Sequence, residues 1–102
     1  MGLYRIADSA ASDLAQLWDD YIERGGSETN ANRLIDSLFE NFQNLADFPD
    51  IGTRRAYLPA EQLAFPSREY MIFYQKSAEG VDIVHVLYGG MDFDSYFSEA
   101  EH

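Results

Sequence analysis

The side chains in this chain that could do chemistry are few, and most fall in its second half. Arg54, Arg55 and Arg68 are placed to hold a phosphate or a carboxylate, because a guanidinium fork matches two oxygens at once. His85, Tyr88 and Tyr96 are the nearby groups able to move a proton. Any phosphodiester chemistry from such a set would need a base, an acid for the leaving oxygen and cations for the developing charge. An arginine stays protonated near neutrality, so none of the three is a base. Strand alternation puts His85 with Val81, Ile83 and Leu87, and a lone histidine on an apolar face is a structural residue. The catalytic set is therefore poorly supplied. Metal chemistry fares no better: there is no cysteine for a disulfide or a thiolate zinc site. Two histidines, His85 and the terminal His102, are too few for a histidine centre, and no EF-hand spacing occurs. No cofactor is expected.

The charge distribution points toward proteins as partners. The chain carries 7 basic and 18 acidic side chains, a net charge of −11. Phosphate binding needs clustered Lys and Arg, so a general nucleic-acid binder is disfavoured. The only basic island spans residues 51–68, where Arg54, Arg55 and Arg68 face Glu61 alone. One reading is a basic loop that neutralises an acidic body; the other is that such a body favours a basic partner and disfavours bare RNA or DNA. No apolar run approaches the roughly 18–20 residues that span a bilayer. The opening MGLYRIADSA lacks the basic and apolar blocks of a secretory signal, so a cytoplasmic location is expected.

Hydrophobic patterning predicts the elements that would position these groups, in one domain covering residues 1–102. Leu3 to Ile6 reads as a short strand, with Asp8 and Ser9 offering N-cap oxygens. Leu14, Leu17, Trp18, Tyr21 and Ile22 repeat at helical spacing, while Asp13, Asp19, Asp20 and Glu23 lie largely off that face. Gly25-Gly26 stops the helix. Ser27 caps a second one, whose stripe runs Ala31, Leu34, Ile35, Leu38, Phe42 and Leu45 until Pro49 ends it. Two such helices with a short link predict an antiparallel hairpin, and their apolar stripes require a sheet beneath. Leu63 to Phe65 reads as a strand ended by Pro66, Tyr70 to Tyr74 as a central strand, and Val81 to Tyr88 as its hairpin partner. After Gly89-Gly90, Asp92 can cap a short terminal helix through Phe93, Tyr96 and Phe97. The expected class is α+β: β-α-α-β-β-β, with a helical hairpin packed on a small, mostly antiparallel sheet and a short C-terminal helix.

This order, with its local wording, resembles the RelE/ParE superfamily of small bacterial toxins, the toxic halves of type II toxin–antitoxin pairs. Tyr4-Arg5-Ile6 leading to Ser9-Ala10-Ala11 and Asp13-Leu14 is similar to the family's opening strand and helix start. Leu17-Trp18 with Tyr21-Ile22 resembles a ParE-like first helix. Phe48-Pro49, Ile51-Gly52 and Arg54 resemble the loop after helix two. Phe65-Pro66, Tyr70 and Ile72-Phe73-Tyr74 resemble the central strand. The departures are the losses of positive charge. Where ParE-like chains close the last strand with His, two small residues and Arg-Asp, this chain has Tyr88, Gly89, Gly90, Met91 and Asp92. His85 stands for a basic residue within that strand, and Ala64 for an arginine before the central one.

The resemblance implies a non-enzymatic ParE-like toxin that binds and poisons DNA gyrase and is neutralised by a ParD-like antitoxin wrapping it. A RelE-like ribosome-dependent mRNA endonuclease is the alternative, as is a degenerate member that still binds antitoxin without harm. Expected target contacts are Arg54, Arg55, Arg68, Tyr88, Met91 and Tyr96; Phe93 and Phe97 either extend that apolar surface beside Asp92 and Asp94 or tuck the terminal helix onto the sheet. Trp18, Tyr21 and Phe65 are the expected receivers of the antitoxin's hydrophobic anchors.

Overall fold

Apolar residues recurring at helical and at two-residue spacing sort this chain into two layers. The computed structural model describes residues 2–100; the expectation for His102 lies outside them. The order is β1 (Leu3–Ile6), α1 (Asp8–Glu23), α2 (Glu28–Asp47), β2 (Gln62–Ser67), β3 (Tyr70–Lys76), β4 (Gly80–Tyr88) and α3 (Phe93–Ala100). The four strands form one sheet in the order β1-β4-β3-β2. β1 runs parallel to β4 and the other two pairings are antiparallel. The α+β architecture is the expected one.

The helix ends follow local chemistry. Gly25 takes φ 92 after α1, a conformation glycine adopts without the steric cost a Cβ brings. The Ser27 hydroxyl accepts from the Asn30 N–H at 3.1 Å and starts α2. Phe48, pushed out of helical geometry by Pro49, ends it at φ −132, ψ 71. Asp92 accepts from the Ser95 N–H at 3.3 Å and caps α3. The start of α1 departs from expectation. Ala7 occupies the N-cap with no side-chain bond, and the Ser9 hydroxyl donates to the Val84 carbonyl on the sheet instead.

The sheet is covered on both faces. Leu17, Leu34, Leu38, Phe42 and Leu45 of the helical hairpin pack against Ile72, Tyr74, Val81, Ile83 and Val86. On the opposite face Phe73 lies in a second cluster with Leu58, Ala64 and Phe93. Phe93 and Phe97 sit 5.1 and 5.2 Å from the Phe73 ring, so they hold α3 down as packing residues. The burial of Ile72, Phe73 and Tyr74 in succession follows from this double cover.

Two strand expectations need correction. Pro66 does not end β2; it pairs with Met71 inside it. β2 is an edge strand, so the missing proline N–H costs no ladder bond. In β4 the register passes from Tyr74↔Ile83 to Phe73↔His85, leaving Val84 as the extra residue of a β-bulge. The bulge inverts the alternation beyond it, so Val86 rather than Leu87 continues the Val81 and Ile83 face. His85 therefore stands on the α3 side, 6.1 Å from the Tyr96 ring and 6.2 Å from Phe97.

Candidate functional site

The side chains with chemical potential collect where β4 outruns β1. Beyond Ile83, whose carbonyl accepts from the Ala7 N–H, β4 pairs with no strand on that side among the described residues. Asp13 supplies what a strand would have supplied. Its Oδ2 accepts from the Val86 N–H at 3.0 Å and lies 2.8 Å from His85 Nδ1. Sequence periodicity placed Asp13 among residues largely off the buried face; in the structure it turns to the sheet, because a donor on an otherwise bare strand must be satisfied.

Beside this junction lies an open groove of about 580 Å³ between the C-terminal half of α1 and the ends of β3 and β4. Leu17 and Tyr21 of α1, Val86 and Leu87 of β4, and Tyr70, Tyr88 and Met91 line it. Tyr70 and Tyr88 meet edge to face at 6.4 Å, and Tyr88 is 52% exposed. Asp20, Glu69 and Arg24 add charge to the rim. Burial, and then the Glu69 carboxylate, push the Tyr70 hydroxyl above the ordinary phenol value.

The expected target residues do not share one surface. Tyr88 and Met91 line the groove, while Tyr96 stands against His85 on the α3 side. Arg68 occupies the β2–β3 turn at φ 54, near the Tyr88 end of the sheet. Arg54 sits at the other end of β2, its Nη1 donating to the Ala60 carbonyl at 2.6 Å. The six-residue length of β2 separates the two by about 20 Å. Arg55 is exposed on the same loop as Arg54. Of the expected antitoxin contacts, Tyr21 lines the groove and packs partly on the core. Phe65 is half-buried against that core, and Trp18 is half-buried on α1. Sequence reasoning missed Asp13, Asp20, Glu69 and Tyr70. The pairing of Tyr70 with Tyr88 depends on the bulge at Val84, since a regular hairpin would set Tyr70 opposite Leu87.

The proton-transfer candidates are constrained. His85 is engaged through Nδ1 with Asp13. Burial, with the nearby Asp13 charge, pushes the Tyr96 hydroxyl upward, which keeps it protonated near neutrality and unsuited to act as a base. Among the described residues, no group of three or more His, Cys, Asp or Glu side chains is arranged to hold a metal ion. No helix of the described residues is long and apolar enough to cross a membrane.

The layered sheet with its flanking helices and the open tyrosine-lined groove define a small α+β domain. The family described as "ParE toxin of type II toxin-antitoxin system, parDE" matches residues 4–93, and the chain belongs to that family. Among solved structures, a chain described as "Chromosomal ParDE TA system from P. aeruginosa" has a similar fold, with a TM-score of 0.72 at 16% identity. The likeness covers 86% of this chain and 96% of that one. No curated protein matches the chain.

Proposed function

We propose that the chain is a ParE-type toxin that acts without catalysis, by binding and poisoning DNA gyrase, and that a ParD-like antitoxin neutralises it in the cytoplasm. The observation that carries the reading is the family match across residues 4–93. The state of the reactive groups supports the non-enzymatic part: the arginines are spread along the length of β2 and do not converge on one phosphate-sized site. Contact with the target falls to Tyr88 and Met91 in the groove, near Arg68, and to Tyr96 on the α3 side, with Arg54 and Arg55 serving a separate acidic or phosphate-bearing surface. Contact with the antitoxin falls to Trp18, Tyr21 and Phe65.

Expression of the chain alone in a bacterial host tests this. Filamentous arrest with induction of the DNA-damage response, relieved by a gyrase variant that no longer binds the chain, is the expected result. Rapid loss of translation with ribosome-dependent mRNA cuts would transfer the assignment to a ribonuclease. Unimpeded growth at verified expression would leave a scaffold that is bound by antitoxin but harmless.

A further inference from the structure

We propose that the groove between α1 and the ends of β3 and β4 is the docking site for an extended, basic segment of the protein partner. Its cationic side chain would lie between the Tyr70–Tyr88 pair and the carboxylates of Asp20 and Glu69. The inference rests on the reading that a partner polypeptide holds the toxin, and it adds where and by what chemistry.

The occupant follows from four features. The groove has the volume for several side chains and is lined in part by apolar ones. Asp13, Asp20 and Glu69 outnumber Arg24 around it. Asp13 is committed to Val86 and His85, whereas Asp20 receives only the Gln16 amide at 3.0 Å and Glu69 forms no side-chain bond among the described residues. With Arg24 counted, the rim keeps an acidic excess, which suits a lysine or arginine and repels a phosphate backbone. The exposed Tyr88 ring, set edge-on to Tyr70, supplies the aromatic face on which a guanidinium or ammonium is attracted by the ring quadrupole.

The fourth feature is backbone. Groups of alternate residues point to the same side of an antiparallel strand. The Val86 N–H faces outward to Asp13, so the Tyr88 N–H two residues on faces outward as well. It meets no strand there, since β1 pairs only as far as Ile83. An extended segment lying along this edge would find a main-chain donor beside the aromatic and acidic side chains.

The placement also explains how silencing would work. Tyr21, expected to receive the antitoxin, and Tyr88 and Met91, expected to meet the target, line the same groove. An occupant of the groove would cover both at once, so the antitoxin would exclude the target by occlusion.

The test uses the full chain, labelled with ¹⁵N, and a capped peptide alternating Arg with Val and Leu, titrated against the same peptide with citrulline at every Arg. Amide shifts at Tyr21, Glu69, Leu87 and Tyr88 are expected. Binding should weaken about tenfold with citrulline and by a similar factor in Asp20→Asn/Glu69→Gln or Tyr88→Leu, the size of a desolvated cation–π and charge contact. Spectral dispersion of each variant verifies that it is folded, and Asp19→Asn on the far side of α1 serves as the unaffected control. Absent binding, shifts confined to another surface, equal affinity for the citrulline peptide, or self-association of the chain through the same amides would each overturn the proposal. Failure of the toxin reading is seen separately, as unimpeded growth in the expression assay, and leaves the peptide result untouched.

Discussion

Replacing Asp13 by alanine should destabilise the fold by far more than removal of an ordinary helix-surface acid. One carboxylate oxygen serves two part-buried donors, the Val86 N–H at 3.0 Å and His85 Nδ1 at 2.8 Å. Bonds to a charged acceptor contribute about 1.5–3 kcal/mol each when one partner is removed. Water entering from the open groove offsets part of the loss, and alanine's better helix propensity returns about 0.5 kcal/mol. The net expectation is about 2 kcal/mol, which corresponds to roughly 8–16 °C in Tm for a domain of this size. Asp13→Asn keeps an amide oxygen for Val86 and should cost about half as much. Urea denaturation of the wild type, both variants and Asp19→Ala, an exposed site on the same helix, provides the comparison. If Asp13→Ala falls within about 0.5 kcal/mol of Asp19→Ala, the surface norm, then Asp13 does not close the edge of β4.

Three further outcomes are expected. Arg68→Gly should raise stability by about 1 kcal/mol, since φ 54 is costly for a residue with a Cβ; a lower Tm would mean that the arginine side chain holds the turn. Tyr74→Phe should cost about 1–3 kcal/mol and speed amide exchange at Gly52, because the buried hydroxyl donates to the Pro49 carbonyl at 2.8 Å and accepts from the Gly52 N–H at 2.9 Å. Asp82 is held below the usual carboxylate range, first by its hydrogen bond from Arg5. A depressed folded-state value gives stability that is present above the unfolded pKa and lost as pH falls through the folded one. The Tm advantage of wild type over Asp82→Asn should therefore fade on acidification below the ordinary Asp value of about 3.9 and vanish once the lower folded-state value is passed. It should also shrink at high salt, because the Arg5 partner is exposed. An advantage that survives both conditions would refute this account.

The helices and their ends were legible because each rests on local chemistry: a stripe of apolar residues, a serine cap, a glycine stop, a proline break. The strands were legible in kind. What escaped was set by pairing. Nothing within Val81 to Tyr88 announces that Val84 is the extra residue, so the face of His85 was assigned to the wrong side. Pro66 read as a terminator because a strand's place at the rim of a sheet is fixed by its neighbours. Asp13 looked like one more surface acid on α1, and only the shortness of β1 gives it a donor to meet. The grouping of Arg54 with Arg68 failed for a related reason: closeness in sequence on either side of a strand means separation by that strand's length. The groove itself joins residues from α1 and from the β3–β4 hairpin, segments far apart along the chain, and no spacing rule links them.

The rims of the sheet bear on how the protein survives at high concentration. On the β2 side, Ala64 exchanges both main-chain bonds with Thr53 at 2.8 Å, and Pro66 has no N–H to present. On the other side, a helix carboxylate plugs the span that β1 leaves bare. Neither rim offers a neighbouring molecule a long row of free amides, which is the template for runaway stacking into fibres. A single methyl in place of that carboxylate would unplug one rim and leave the Val86 N–H open to a strand of a neighbouring molecule.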